Sequence, residues 1–260
     1  MIHSTAIISK YCEIANDVEI GPYAVIQGKV KIDSGTKIGA NAMVGCDSGI
    51  VEIGKNNQIG PHSYIGGPPQ DISYKGETTK LKIGDNNIFR EFVTVNIGTT
   101  KQDGVTIIGN NCMFMAYVHI AHDCNIGDRV IIANTTNFAG HVIVHDDVKI
   151  GGACNFSQFT RLGKHAYIAG DATINKDILP YTMAQGKYAL SRATNRIGLE
   201  RAGYSKDEIN NIHKAIRALL MGGRTLDEAL QKINQDCEID NHIQYLLDFV
   251  NSSEKGLARS

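Results

Sequence analysis

The chain has 260 residues, 42% of them hydrophobic and 20% charged, with a formal net charge of -1. That composition can bury a core and excludes intrinsic disorder, and the near-neutral balance argues against nucleic-acid binding, which calls for a strong basic excess. No apolar run approaches the ~20 residues of a membrane span. The opening Met1-Ile2-His3-Ser4 lacks the basic-then-apolar pattern of a secretory signal, and the six cysteines form no metal-type CxxC pair. The expectation is a cytoplasmic protein with reduced thiols.

Along the chain, a large apolar residue recurs at every sixth position: Ile8, Ile14, Ile20, Ile26, Ile32, Ile38, Val44. The frame restarts at Ile53, Ile59 and Ile65, and again at Ile83, Phe89 and Val95; it then runs unbroken through twelve positions from Ile108 to Ile174. Six fits neither the 3.6-residue period of a helix nor the simple alternation of a half-buried strand. It fits a solenoid in which each hexad is one short side and three sides make a coil. The residue after each apolar one is often small (Gly21, Gly39, Gly127, Gly151), where a corner needs permissive backbone. Four places on stands a small or β-branched residue, and Cys112, Cys124 and Cys154 fall in such interior slots, as small buried hydrophobes. The pattern resembles the left-handed parallel β-helix of hexapeptide-repeat acyltransferases; the handedness comes from that resemblance.

Three breaks interrupt the frame, at about 45–52, 66–82 and 96–107, and loops on a rigid scaffold are where binding residues concentrate. After Pro180 the period stops. Ser205 with Glu208, and Thr225 with Glu228, form capping-box signatures before apolar stripes, with Gly222-Gly223 closing the first. A third stripe carries Ile243, Leu246, Leu247 and Val250. The chain therefore divides into a solenoid over 1–186 and a small helical domain over 187–260.

With 18 residues per coil, positions 18 apart stack at about 4.8 Å. His119 then lies under Asn137, His122 under Gly140 and Gln158, and Asp123 under His141. Two chemistries compete for this cluster. His119, His122 and His141 could hold zinc in an open three-histidine site, or one imidazole could act as a general base. Asp123 is not automatically its orienting carboxylate, since adjacent side chains usually point apart. His62, His145, His165, His213 and His242 read as surface decoration.

Pro69-Gln70-Asp71, Tyr74-Lys75-Gly76-Glu77, His119-Ile120-Ala121-His122-Asp123-Cys124, Phe138-Ala139-Gly140-His141-Val142 and Ala184-Gln185-Gly186 together carry a closer likeness. They resemble the UDP-N-acetylglucosamine O-acyltransferase family, which opens lipid A synthesis, over essentially the whole chain. The resemblance implies transfer of a 3-hydroxyacyl group from acyl carrier protein to the sugar 3-hydroxyl, by a homotrimer without metal or cofactor. It implies His122 as general base, Asp123 as its carboxylate and the Gly140 amide as oxyanion donor. It further implies Gln70, Asp71, His119, His141, Gln158, Asn195 and Arg201 as substrate-binding residues and Gly170 as a determinant of acyl-chain length. Ser73, Ile97, Ser157, Ile197 and Ala202 depart from the family pattern, and they bear on holding an anionic nucleotide sugar. Weak affinity for UDP-N-acetylglucosamine, or a related 3-amino nucleotide sugar as acceptor, is the expectation that follows. A carbonic-anhydrase-like zinc protein is the alternative from a different class.

Overall fold

The computed structural model describes residues 1–259. The hexads become strands of mostly two residues, such as Glu13–Ile14 and Ile131–Ile132, in which one side chain faces the interior and its neighbour faces out. Three parallel sheets of nine, eight and ten strands result, and the chain visits them in rotation, as a left-handed parallel β-helix. The first sheet runs from Ile7–Ile8 to Thr173–Ile174 and the second from Glu13–Ile14 to Arg161–Leu162. The third runs from Glu19–Ile20 to Tyr167–Ile168 and is extended by Thr182–Gln185 and, antiparallel, Leu190–Thr194. The 18-residue register holds: His119 pairs with Asn137, and Asn137 with Asn155.

The corners turn on residues in the left-handed region, spaced by six: Asp123, Arg129, Thr135, His141, Asp147, Ala153, Phe159, His165 and Asp171 all have φ between 56° and 65°. Each costs roughly 1 kcal/mol or more in a non-glycine residue, and the repeating parallel ladder on either side holds it in place. Inside, the apolar columns stack in contact. Phe89 lies on Phe114 with centroids 4.7 Å apart, and Phe138 on Phe156 at 4.3 Å. Cys112, Cys124 and Cys154 are buried in this interior, as expected. Burial pushes the thiols of Cys112 to about 11 and Cys124 to about 12, leaving them without thiolate at neutral pH. Where Asn57 and Asn87 take interior slots, their amides donate to the carbonyls of Gly84 and Gly109, and Asn57 accepts from the Asn87 N–H.

All three breaks in the hexad frame leave the first sheet and rejoin the second: 45–48 between Met43–Val44 and Gly49–Ile53, 68–78 after Tyr64–Gly67, and 97–104 after Thr94–Asn96. One edge of the prism thus carries every insert. Four helices follow, α1 (Arg196–Arg201), α2 (Lys206–Leu220), α3 (Leu226–Asp236) and α4 (Asn241–Asn251), and both capping boxes are formed. Their stripes make a second core around Leu199, Ile212, Ile216, Ile233, Ile243 and Leu246, packed on Leu179 and Tyr181 of the solenoid. The tail then returns: Ala258 exchanges backbone bonds with Asp177 and Ser191 and is buried against the last coil.

Candidate active site

The edge that carries the inserts also carries His122. The chain turns there with Asp123 at φ 60°, and this changes the expectation that neighbouring side chains diverge. The left-handed corner swings the Asp123 carboxylate back beside the preceding ring, so that Oδ2 lies 2.8 Å from His122 Nδ1. The same carboxylate accepts from the Thr99 amide at 2.8 Å and the Thr99 hydroxyl at 2.6 Å, while the Asp123 amide donates to Thr106 at 2.8 Å. Burial works to raise the Asp123 pKa, but the bonds from His122 and Thr99 outweigh it and hold it below the ordinary carboxylate value. An ionised Asp123 accepts the Nδ1 proton of His122, so that in the neutral ring the lone pair lies on Nε2.

Nε2 faces Gly140. A Cβ at 140 would stand 2.8 Å from Nε2 and 2.5 Å from Cε1, so only glycine lets the ring lie there. Among the described residues the Gly140 amide has no hydrogen-bond partner, whereas its neighbours Ala139 and His141 donate to Phe156 and His122. An unused N–H on the residue against which the His122 ring packs can receive a developing oxyanion.

His141 meets His122 edge-on at 5.1 Å, stacks on Phe159 at 4.5 Å, and donates from Nδ1 to Gln102 at 2.8 Å. Burial keeps its pKa low, against the pull of Asp123 3.7 Å from Nε2. His119 hydrogen-bonds the Thr94 hydroxyl at 2.7 Å, and burial, followed by the neighbouring His122, lowers it too. Asp71, on the second insert, brings Oδ2 to 4.0 Å from His122 Nε2. Beside Asp123 and His141 a groove of about 500 Å³ runs along the second sheet, lined by Val105, Ile107, Ile143 and Phe159 and reaching Arg161 and Lys255 near the helices.

Not every expected residue joins this cluster. Gln70 and Gln158 lie on the same edge, exposed. Asn195 caps α1, accepting from the Gly198 amide while its own amide donates to His165 O at 2.9 Å. Arg201 is exposed in the last turn of α1. Gly170 belongs to another edge, between the third and first sheets, against the backbone of Gly152. Ile97, expected to bear on the nucleotide, is wholly buried in the solenoid core. The three-histidine zinc arrangement is not formed. Among the described residues the group with ligand atoms within 4.8 Å of one another is His122, Asp123 and His141, while His119 is bonded to Thr94, its register partner on the preceding coil. His165 is no surface decoration either: it is buried between Tyr181 and Tyr204. Thr99, Lys101, Gln102 and Thr106, all from the third break or its rim, were not legible as site residues.

Comparison with known proteins identifies the family. Residues 177–258 match the family profile described as UDP N-acetylglucosamine O-acyltransferase, domain 2, and residues 11–46 and 106–140 match the bacterial transferase hexapeptide. The acyl-[acyl-carrier-protein]–UDP-N-acetylglucosamine O-acyltransferase of Thermodesulfovibrio yellowstonii is 45% identical over 258 residues, covering 99% of each chain. The enzyme of that name from Thiobacillus denitrificans is 42% identical, again over 99% of each. The chain belongs to the UDP-N-acetylglucosamine O-acyltransferase family. The crystal structure of the Francisella novicida UDP-N-acetylglucosamine acyltransferase superposes with a TM-score of 0.95 at 35% identity, covering 100% of this chain and 94% of that one. The Campylobacter jejuni enzyme gives 0.92 at 34% identity over the full length of both.

Proposed function

We propose that the protein transfers a 3-hydroxyacyl group from acyl carrier protein to the 3-hydroxyl of UDP-N-acetylglucosamine, in lipid A biosynthesis. The observation that carries this is the His122–Asp123 pair, its ring packed against Gly140, whose amide has no partner among the described residues, in a chain aligned end to end with transferases of that name. His122 Nε2 takes the hydroxyl proton as the oxygen attacks the thioester carbonyl. The Gly140 N–H receives the charge on the tetrahedral oxyanion. Collapse expels the carrier thiolate, which recovers the proton from His122, so the base returns to its starting state.

Asp71, His119 and His141 stand around His122 and Gln70 lies exposed on the same edge, for the acceptor, and the groove lined by Val105, Ile107, Ile143 and Phe159 offers the donor an apolar surface. Asn195, Arg201 and Gly170 lie apart from His122 within one subunit. Their roles in substrate binding and chain length therefore require a neighbouring copy, and a homotrimer with clefts between subunits supplies it. Among the described residues no helix is long and apolar enough to cross a membrane. The proposed reaction is placed in the cytoplasm.

The test is transfer from 3-hydroxyacyl carrier protein to UDP-N-acetylglucosamine and to its 3-amino counterpart, side by side. Rapid O-acylation supports the reading; turnover confined to the amine would replace the acceptor, and no turnover with either would end the proposal.

A further inference from the structure

The carboxylate of Asp71 is held from three directions. Ser73 donates to Oδ1 through its amide and its hydroxyl, both at 2.8 Å. Lys101 reaches across from the third insert and places Nζ 2.6 Å from Oδ2. Oδ2 is also the atom 4.0 Å from His122 Nε2. The lysine contact is the first cause, and the Ser73 bonds the next, of an Asp71 pKa far below the ordinary carboxylate value. The Asp71 side chain is only 9% exposed, whereas that of Lys101 is 52% exposed. The carboxylate is therefore fixed, and the side chain that fixes it is still half exposed to solvent.

We propose that Lys101 sets affinity for the acceptor, both by holding Asp71 and by offering its own charge, an inference that rests on the functional reading above. Among the described residues the inserts 68–78 and 97–104 are joined across the site by one charged link, and it is this pair. Holding Asp71 in place presents its remaining lone pairs to sugar hydroxyls next to the base. An ammonium carries three donors, and Asp71 takes one. The other two are free for an oxygen of an anionic nucleotide sugar. The charge balance points the same way. Around His122 and His141 stand the carboxylates of Asp71 and Asp123, and Lys101 is the cation acting on His141. Without it, a diphosphate would approach two negative charges with no compensating positive one. Ser73, which departs from the family pattern, thus shares the Asp71 carboxylate with a cation from a different insert.

The experiment is steady-state transfer to UDP-N-acetylglucosamine by Lys101→Met, Lys101→Arg and the double variant Ser73→Lys/Lys101→Met. Losing a charge-assisted hydrogen bond should raise the KM for the nucleotide sugar roughly ten- to a hundredfold, with kcat within about threefold and the KM for the acyl carrier unchanged. Lys101→Arg should recover most of the affinity. So should the double variant, because Ser73 already contacts the same carboxylate. An unchanged KM in Lys101→Met would overturn the proposal, as would a fall in kcat at constant KM, or a double variant no better than the single one. Wild-type turnover judges the functional reading by itself. Lys101 is judged on the ratio of variant to wild type, in KM and in calorimetric binding of the nucleotide sugar, so the two can fail separately.

Discussion

A single methyl group at position 140 tests whether catalysis depends on where the His122 ring lies. An ideal Cβ there stands 2.5 Å from His122 Cε1, 2.8 Å from Nε2 and 3.0 Å from Nδ1, where ordinary contact is 3.4–4 Å. Gly140 is not in the left-handed region, so alanine strains no dihedral, and its amide N–H remains. The ring itself must retreat by about 1 Å. It cannot do so and keep both its 2.8 Å bond to Asp123 and its edge-on contact with His141. A displacement of that size costs about 10²-fold in rate, or about 2.7 kcal/mol of barrier. Gly140→Ala should therefore lower kcat about a hundredfold, with overpacking costing about 1–3 kcal/mol of stability. A double-mutant cycle sharpens the point: in a His122→Ala background the same alanine should change turnover less than about twofold, since there is no ring left to move. A Gly140→Ala enzyme within threefold of wild type, or an equal effect in both backgrounds, would refute the steric argument.

Burial holds the folded-state pKa of His165 at about 4, against an unfolded value near 6.5. The unfolded chain thus binds more protons between those values, and stability present above pH 6.5 is lost as pH falls toward 4, by about 2 kcal/mol at pH 5. Urea unfolding at pH 7 and pH 5 should show a loss that shrinks in His165→Phe; an equal loss in both would contradict it. Gly170→Met should shift donor preference toward shorter acyl chains in a mixed-donor assay, and unchanged preference would move the limit to another residue. Sedimentation should give a trimer at micromolar concentration, and a stable monomer would remove the shared cleft.

The solenoid was legible because its period is written in every coil: Ile120, Phe138 and Phe156 occupy one column, and parallel pairing leaves such residues no other place. The capping boxes at Ser205 and Thr225 were legible for a similar reason, since each is a local hydrogen-bond exchange. The short helix α1 and the strand pair Thr182–Gln185 and Leu190–Thr194 were not, because docking on the last coil shapes them more than any local signal. In the site, the stacking of His122 on Gly140 followed from counting by 18. The Asp123 contact did not, because it depends on a left-handed corner at a non-glycine residue. Lys101, Thr99 and Gln102 were hidden by the insert that carries them. Counting would still have placed all three breaks on one edge, the edge of His122, and so marked their residues as candidates.

The central claim is that His122 is the base for acyl transfer, and the most direct measurement is turnover of His122→Ala with 3-hydroxyacyl carrier protein and UDP-N-acetylglucosamine. The ring is nearly buried at the edge but lies outside the stacked apolar interior, so the variant should fold and melt close to wild type. The account predicts a kcat lower by at least the ~10²–10⁴ that general-base catalysis supplies, while the KM values stay near wild type. A folded His122→Ala protein that still turns over at close to the normal rate would contradict it.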